Sequence, residues 1–212
     1  MIQNHTTGSS SSRNENSLYT GVHQYFDKRT KRKMVRIGAG SYYVSSGGDE
    51  ILTAVLGSCV SVCGYNPESG IGGMNHFMLP FTSRSDTSPI ASDLRIGVHA
   101  MEILINEILS SGCPREKIKI KVFGGANLID SMHPIGTSNV AFTLNYLERE
   151  KISVVAEDTG GNAPRRVEFS PATGAARVKL VKDEAISEVK AEEETFRNSL
   201  ESPKRNSDFE LF

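Results

Sequence analysis

A cysteine and a histidine in the segment Leu52–Pro80, LTAVLGSCVSVCGYNPESGIGGMNHFMLP, are of the types that nucleophilic catalysis requires. Cys59 follows Gly57 and Ser58, two small residues that allow a substrate or another backbone segment to approach the sulfur. A bend there would turn backbone N–H groups towards a developing oxyanion. His76 is the candidate base. A neighbouring imidazole activates a thiol by lowering its pKa, so we expect a depressed pKa for the cysteine.

A predicted β-hairpin positions this pair. The run Ile51–Tyr65 is rich in β-branched and small residues, which favours a strand over a helix despite one internal glycine. Asn66–Gly70, NPESG, is typical of a turn, because proline presets one dihedral angle and glycine accepts a strained one. The run Ile71–Met78 then returns as the second strand.

The register of this hairpin brings the histidine to the cysteine. Pairing outwards from the turn places His76 opposite Val60 and therefore next to Cys59. A histidine between Asn75 and Phe77 on a strand is more often a hydrogen-bonded structural residue, and this alternative stays open. Its position across from the cysteine favours a catalytic base.

Three alternatives for the sulfur atoms compete with catalysis. Cys59, Cys63 and His76 resemble a set of zinc ligands, but on one strand the two cysteines would be about 13 Å apart, too far for one metal ion. The same separation excludes a disulfide, whose Cα atoms are at most about 7 Å apart. Burial as a small apolar residue is the default for a free cysteine, and it suits Cys63 and Cys113. We therefore expect no metal.

The other histidines are weaker candidates. His99 lies on the polar face of a predicted helix, where a solvated surface role is the simpler explanation. His133 lies in a predicted loop, and His5 and His23 belong to a polar N-terminal segment. Nothing in the sequence places them in a catalytic site.

Composition limits the class of protein. The chain has 212 residues, of which 38% are hydrophobic, and its net charge is −1. This composition is sufficient for one sizeable core, and it predicts no global field that would attract nucleic acid or an anionic membrane. No apolar run approaches the roughly 18 residues of a membrane-spanning helix, and no secretory signal is visible. The odd number of cysteines, 3, then predicts reduced thiols in the cytoplasm.

Composition along the chain predicts one domain between two polar segments. Residues 1–34 are expected to form a flexible N-terminal arm, residues 35–181 the folded domain, and residues 182–212 a charged, flexible C-terminal tail. The basic run Lys28–Lys33 is interpreted as a solvated linker rather than a nucleic-acid site. A short helix is expected at about Ala185–Leu200, without contact to the core.

Within the domain, strands are joined mainly by turns. Apolar residues at helical spacing predict a helix over Leu94–Ser111, and a second helix is expected over Asn139–Lys151. Further strands are predicted at Ile118–Val122, Ile152–Ala156, Arg166–Phe169 and Ala176–Val181. Hairpins outnumber strand–helix–strand units. The prediction is therefore a single α+β domain of layered β-sheets built from hairpins, with helices packed outside.

Four blocks in order across about Val35–Leu180 resemble the bacterial chemoreceptor glutamine deamidases of the CheD family. The blocks are the segment quoted above, RIGVHAMEILINEIL, KVFGGAN and AEDTGGNAPRRVEFSPATGAARV. The resemblance implies a catalytic set of Cys59, His76 and Thr53, the threonine that lies six residues before the cysteine. It also implies a fold related to the deamidating bacterial cytotoxic necrotizing factors.

The resemblance also implies a reaction. A cysteine thiolate would attack the side-chain amide of a receptor glutamine and form a thioester, which water hydrolyses to glutamate without a metal or an organic cofactor. His76 would transfer the proton, and Thr53 would orient the imidazole ring. Contacts to the oxyanion or the substrate are expected at four further residues: Ser58, Asn75, Gly124 and Gly125. The same chemistry allows cleavage of glutamyl methyl esters.

The implied partners are the cytoplasmic domains of methyl-accepting chemoreceptors and a CheC-type phosphatase, with no nucleic acid and no membrane insertion. The sequence departs from the family pattern at Ile135–Asn139, where a charged residue is expected near Thr137 or Ser138. Two alternatives remain open. One is a non-catalytic chemotaxis adaptor that binds receptors or a CheC-type phosphatase, and the weaker one is a cysteine peptidase.

Overall fold

Six strands precede the first helix in the part of the chain that the structure, a computed structural model, describes: residues 21–46, 48–80, 90–128 and 134–201. The strands are β1 (Val22–Asp27), β2 (Arg32–Ile37), β3 (Ser41–Ser46), β4 (Glu50–Leu56), β5 (Val60–Asn66), β6 (Ile71–His76), β7 (Lys119–Gly124), β8 (Val154–Thr159), β9 (Arg165–Phe169) and β10 (Ala176–Leu180). The helices are α1 (Ile90–Ser110), α2 (Ile135–Arg149) and α3 (Asp183–Glu201), and a short 3-10 turn lies at Arg115–Lys117.

The strands form two five-stranded sheets. The first sheet has the order β1-β2-β4-β9-β10, and the second has the order β3-β6-β5-β7-β8. The hairpins β1–β2, β5–β6 and β9–β10 are antiparallel, as turn-connected neighbours must be. The pairs β2–β4 and β7–β8 are parallel, and α2 provides the crossover for the second of them.

One hydrophobic core lies between the inner faces of the two sheets. Along β4, every second residue faces this core, namely Leu52, Ala54 and Leu56. From the second sheet, Cys63 and Met74 belong to the same cluster. Burying a side chain of the size of leucine or methionine stabilises the fold by about 1.5–3 kcal/mol. This packing holds the two sheets face to face.

A second core lies between the other face of the second sheet and the helices α1 and α2. In α1, Met101, Leu104 and Ile108 recur at helical spacing and are fully buried. They pack in one cluster with Val62 and Ile120 of the second sheet. The molecule is therefore a mixed α+β single domain with two sheets, which confirms the coarse fold class predicted from the sequence.

The predicted single strand Ile51–Tyr65 is wrong. β4 ends at Leu56 in the first sheet, and β5 begins at Val60 in the second sheet. The chain crosses between the sheets at Gly57, where a Cβ atom would lie only 2.6 Å from a carbon of Leu128. A larger residue at this crossing would have to displace the side chain of Leu128.

The N-terminal side of the described chain is more ordered than predicted. The strand β1 lies within the segment expected to be a flexible arm, and it pairs with β2 along its whole length, from Val22↔Ile37 to Asp27↔Arg32. The strand was not predicted because its sequence has no apolar periodicity. Cross-strand hydrogen bonds to β2 hold it in place instead. The strand β3, at the edge of the second sheet, is also missing from the prediction.

The expected C-terminal helix is present as α3, but the expectation that it makes no contact with the core is wrong. Val189 is buried, and Phe196 packs against the core between the sheets. A Cβ atom on Gly40 would lie 3.0 Å from the ring of Phe196, so the two segments are in close contact. A narrow apolar stripe on a strongly charged helix is sufficient for this docking. The boundaries of the folded domain at residues 35 and 181 stay predictions.

Candidate active site

The loop Gly57–Cys59 is held from behind by hydrogen bonds to its three carbonyl groups. The N–H of Ala126 donates to the carbonyl oxygen of Gly57 at 2.7 Å, and the N–H of Gly125 donates to that of Cys59 at 2.7 Å. The Nδ2 of Asn139 donates to the carbonyl oxygen of Ser58 at 2.8 Å. The carbonyl groups of this loop therefore all point towards the second sheet, the following loop and α2.

This anchoring fixes the direction of the amide groups. In a planar trans peptide, the N–H points away from the carbonyl oxygen of the preceding residue. With the carbonyls of Gly57 and Ser58 tied back, the N–H groups of Ser58 and Cys59 face the opposite side. They form a concave set of donors of the kind that binds an anion. The sequence predicted such a bend, and the structure shows what holds it.

A carboxylate from α3 occupies this concave set of donors. The two oxygens of Glu193 accept hydrogen bonds from the N–H of Gly57 at 3.1 Å, of Ser58 at 2.9 Å and of Cys59 at 3.0 Å. The hydroxyl of Ser58 donates to the same carboxylate at 2.7 Å. The negative charge of this carboxylate also acts on the thiol of Cys59, whose pKa it raises. Sequence reasoning missed Glu193, because nothing in a charged helix distinguishes one glutamate from its neighbours.

Gly124 and Gly125 support the cysteine loop rather than face its donors. Gly124 has φ +107°, and a Cβ atom there would lie 2.2 Å from the carbonyl oxygen of Cys59. The N–H of Gly125 is already used by that same carbonyl. In this arrangement the N–H of Gly125 is not available to an oxyanion, so the expected contacts of Gly124 and Gly125 with an oxyanion or a substrate stay predictions. Their tight approach explains the doubled glycine in the sequence.

His76 is buried, with 6% of its surface exposed, at the end of β6. Its Nδ1 lies 3.0 Å from the carbonyl oxygen of Ile37, and because a carbonyl only accepts, Nδ1 carries the proton of the neutral ring. The Nε2 atom is then the free base. Within the described part of the chain it is buried without a hydrogen-bond partner.

The electrostatics of the resting site differ from the expected ion pair. Burial raises the pKa of the Cys59 thiol well above its usual value, and the neighbouring charge of Glu193 raises it further. Burial also lowers the pKa of His76. The expectation of a depressed thiol pKa is therefore wrong with α3 in place, because a buried thiol beside a carboxylate disfavours the thiolate. The site rests as a thiol and a neutral imidazole.

The cysteine and the histidine share one electrostatic site. The bridge Val60↔Phe77 shows that the register is displaced by one residue from the prediction, which paired Val60 with His76. The Glu193 carboxylate acts on the pKa of both Cys59 and His76, so the two groups surround the same carboxylate. The predicted contact between the thiol of Cys59 and the imidazole of His76 stays a prediction.

Thr53 lies on the other side of the first sheet. Its neighbours in β4 face the core between the sheets, so the alternation of a strand directs Thr53 to the outer face. On that face its cross-strand neighbours are Arg36 and Glu168. The hydrogen-bond acceptor of His76 is the carbonyl of Ile37. The orienting role that the family resemblance implies for the threonine is an untested hypothesis, and among the described residues the ring is held by Ile37 instead.

Asn75 is directed away from the cysteine. Its Oδ1 accepts from the N–H of Val62 at 2.8 Å, and its Nδ2 donates to the carbonyl oxygen of Ala100 at 2.9 Å. Both ends of the amide are therefore used between β5 and α1, and the expected contact of Asn75 with the oxyanion or the substrate stays a prediction. His99 is exposed on α1, as predicted, whereas His5 and His133 lie outside the described residues.

Asn139 is a positioning residue that the sequence analysis did not identify. It is fully buried in α2, and besides holding Ser58 it accepts a hydrogen bond from the N–H of Leu79 at 2.9 Å. A polar residue on the apolar face of a helix is the signal that could have found it. Thr137, where the family pattern suggested a charge, instead hydrogen-bonds to Asn127 through its hydroxyl and its N–H.

Comparison with known proteins assigns the family. The family described as CheD chemotactic sensory transduction matches residues 78–180. A relative named "Probable chemoreceptor glutamine deamidase CheD" from Vibrio cholerae is 41% identical over 85% of this chain and 80% of its own length. A relative of the same name from Methylobacillus flagellatus is 41% identical over 93% of this chain and 98% of its own. The chain belongs to the CheD family.

A solved structure of Neisseria meningitidis protein NMB0706, of the family DUF152, aligns with a TM-score of 0.39 and 12% identity over 66% of this chain and 64% of its own. A likeness of this size supports no argument about function. No helix in the described ranges is long and apolar enough to cross a membrane.

Proposed function

We propose that this protein deamidates glutamine side chains of chemoreceptors by nucleophilic catalysis at Cys59. The names of its relatives state this activity for them. One observation in the structure carries the proposal: backbone N–H groups of Ser58 and Cys59 converge on a carboxylate beside the thiol. A carboxylate is the product of glutamine deamidation, and its oxygens need the donors that stabilise the oxyanion of the reaction.

The first half of the reaction forms a thioester. The thiol of Cys59 gives its proton to Nε2 of His76, while Sγ attacks the side-chain carbonyl carbon of the glutamine. The N–H groups of Ser58 and Cys59 hold the resulting oxyanion. When the intermediate collapses, the C–N bond breaks, and the imidazolium returns its proton to the departing amine, which leaves as ammonia.

The second half hydrolyses the thioester. Nε2 of His76 removes a proton from water, whose oxygen attacks the thioester carbon. The C–S bond then breaks, and the proton passes from the imidazolium to the thiolate. A glutamate side chain is released, and the thiol and the neutral imidazole are restored. The carbonyl of Ile37 keeps Nδ1 protonated throughout and so keeps Nε2 directed to the reaction.

Several finer points belong to the same proposal. They are a cytoplasmic location, recognition of receptor cytoplasmic domains, association with a CheC-type phosphatase, and a relation of the fold to the cytotoxic necrotizing factors. An adaptor role of the same surface is compatible with a site that α3 covers, because a covered site limits turnover without preventing binding.

Mass spectrometry of a receptor cytoplasmic fragment tests the proposal. The parent protein should convert specific glutamines to glutamates, and Cys59→Ala should convert none. A fragment that keeps all its amides with the folded parent, both with α3 intact and with Glu193→Ala, would show that the protein is not a deamidase of this substrate. Equal conversion by Cys59→Ala would show that another group is the nucleophile.

A further inference from the structure

Helix α3 is docked across the candidate active site by one face. Val189, Glu193, Phe196 and Leu200 recur at the spacing of a single helical stripe. Val189 is buried and Phe196 packs on the core between the sheets, so two apolar residues flank the glutamate. Ser199 and Leu200, further along, border a cavity of about 790 Å³ that also has His76 in its wall.

The carboxylate of Glu193 has the contacts that a bound product would have. It accepts hydrogen bonds from the N–H groups of Gly57, Ser58 and Cys59 and from the Ser58 hydroxyl, at 2.7–3.1 Å. A glutamate side chain is also what deamidation of a glutamine leaves behind. The side chain therefore matches the product in chemical identity as well as in position.

The surroundings of the carboxylate are fitted to it. A Cβ atom on Gly57 would lie 2.8 Å from an oxygen of Glu193, so a larger residue at this position would displace the carboxylate. The neighbouring Glu194 has different surroundings from Glu193. Its side chain is 66% exposed and contacts Arg197 on the same helix at 3.7 Å. Only one of the two adjacent glutamates thus occupies the site.

We propose that α3 is a built-in competitor, in which Glu193 fills the position of the substrate side chain in its product form. Helix α3 must leave before a receptor glutamine can enter. The inference rests on the proposed deamidase function and adds its regulation. It also has a chemical consequence: a glutamine placed at position 193 lies where the enzyme deamidates, and should become its own substrate.

The decisive experiment replaces Glu193 by glutamine in the full-length chain. Mass spectrometry of peptides from the purified Glu193→Gln protein should find glutamate at position 193, because Cys59 attacks the introduced amide and water releases ammonia. The double variant Cys59→Ala/Glu193→Gln should keep its amide. In the matched control Glu194→Gln, the exposed neighbour should also keep its amide. An introduced glutamine at position 193 that keeps its amide in a protein with Cys59 intact overturns the proposal.

A second variant tests whether Glu193 blocks the site, and it does not require deamidation of a residue in α3. Glu193→Ala removes the hydrogen bonds to the loop, so iodoacetamide should alkylate Cys59 about tenfold faster, the change that corresponds to losing about one charged hydrogen bond. Deamidation of a receptor fragment should accelerate in the same direction, whereas Glu194→Ala should match the parent. An unchanged alkylation rate in Glu193→Ala overturns the proposal.

The two readouts separate this inference from the function on which it rests. Faster alkylation in Glu193→Ala, with no deamidation of the introduced glutamine or of a receptor fragment, would contradict the deamidase function and with it the competitor. Deamidation of the receptor fragment by the parent, with an intact amide at position 193 in the Glu193→Gln variant, would contradict only the competitor and leave the function standing.

Discussion

Cys59 and Cys63 are both fully buried and lie in one short segment, yet they are enclosed in different ways. Cys63 is part of β5, and its cross-strand neighbours are Met74 and Lys121 of the two adjoining strands. Cys59 lies before β5, and its thiol contacts the side chain of Glu193. Cys63 is therefore buried by neighbouring strands of its own sheet, whereas Cys59 is covered by a side chain of helix α3.

The pKa values of the two buried thiols therefore depend on different groups. Burial raises the pKa of both thiols, but the other causes differ: a Ser61 hydrogen bond and the charge of Lys121 oppose the shift at Cys63, whereas Glu193 adds to it at Cys59. The burial that raises the pKa of Cys63 comes from the sheet itself and is lost only if the sheet opens. The pKa of Cys59 can change when a single side chain leaves. Solvent exposure in one structure thus does not distinguish a structural thiol from a nucleophile.

The largest difference should appear when each thiol is removed. Cys59→Ala should reduce deamidation of a receptor fragment by at least about a thousandfold, because the group that forms the thioester is absent. Cys63→Ala should keep turnover within about threefold of the parent and lower the free energy of unfolding by about 1 kcal/mol, since it leaves a small cavity. Mass spectrometry and denaturant titration measure the two effects. An inactive but stably folded Cys63→Ala would end the distinction between the cysteines.

A second prediction concerns the residue that turns the amide of Cys59 towards the site. Asn139→Ala removes the hydrogen bond to the Ser58 carbonyl and leaves that peptide free to rotate. We expect a loss in turnover of about ten- to a hundredfold, somewhat below that of deleting an oxyanion donor itself. The control is Ser138→Ala, whose hydroxyl donates to the carbonyl oxygen of Pro134 at the start of its own helix.

The substrate affinity distinguishes this effect from a general loss of structure. If Asn139 positions the amides that hold the oxyanion, kcat should fall with little change in KM. Equal losses in Asn139→Ala and Ser138→Ala would show that α2 merely packs in this region.

The site was more predictable from the sequence than the path of the chain that builds it. Cys59 and His76 stand out because a small-residue loop and a hairpin are local patterns. The crossing between the sheets at Gly57 is not local: it depends on Leu128 and Glu193, which are distant in sequence and leave no space for a side chain. A strand pattern interrupted by glycine looks the same whether the strand continues or changes sheet.

The same limit explains why α3 was expected to be free. Its apolar stripe consists of few residues on a helix rich in glutamate, so its composition is typical of a solvated segment. Besides this stripe, the helix is held by one carboxylate that matches three backbone donors. This match involves the loop at Gly57–Cys59 and helix α3 together. The residue pattern of either segment alone therefore does not predict it.

A third prediction separates the two cysteines by their response to pH. Removing Glu193 removes a negative charge that disfavours the thiolate of Cys59, so the pKa of this thiol should fall. A larger fraction is then ionised at any given pH, and the alkylation profile of Cys59 in Glu193→Ala should move to lower pH. The profile of Cys63, whose pKa depends on burial, Ser61 and Lys121, should not move.

Peptide-resolved alkylation across a pH series provides this measurement, with Glu194→Ala as the control. A profile of Cys59 that keeps its position in Glu193→Ala would show that burial alone sets its pKa. The two cysteines would then differ only in location.

The smallest effect on turnover is expected for substitutions of Thr53. They test whether the first sheet contributes a side chain to catalysis or only supports the fold around the site. The residue faces away from the core that contains Cys59, and the carbonyl of Ile37 already holds Nδ1 of His76. Thr53→Val keeps the shape and removes the hydroxyl. We therefore expect turnover to fall by no more than about threefold, and a lost orienting contact would cost considerably more.

Thr53→Ser and a thermal melt of each variant complete the test. If valine reduces turnover by about tenfold or more while serine and the melting temperature match the parent, the hydroxyl acts in catalysis, and the site must rearrange when α3 leaves. If both variants lose activity and unfold early, the threonine supports β4 between its neighbours on β2 and β9. Near-parental activity in both would assign the orientation of the imidazole to the backbone at Ile37, which no side-chain substitution at Thr53 can remove.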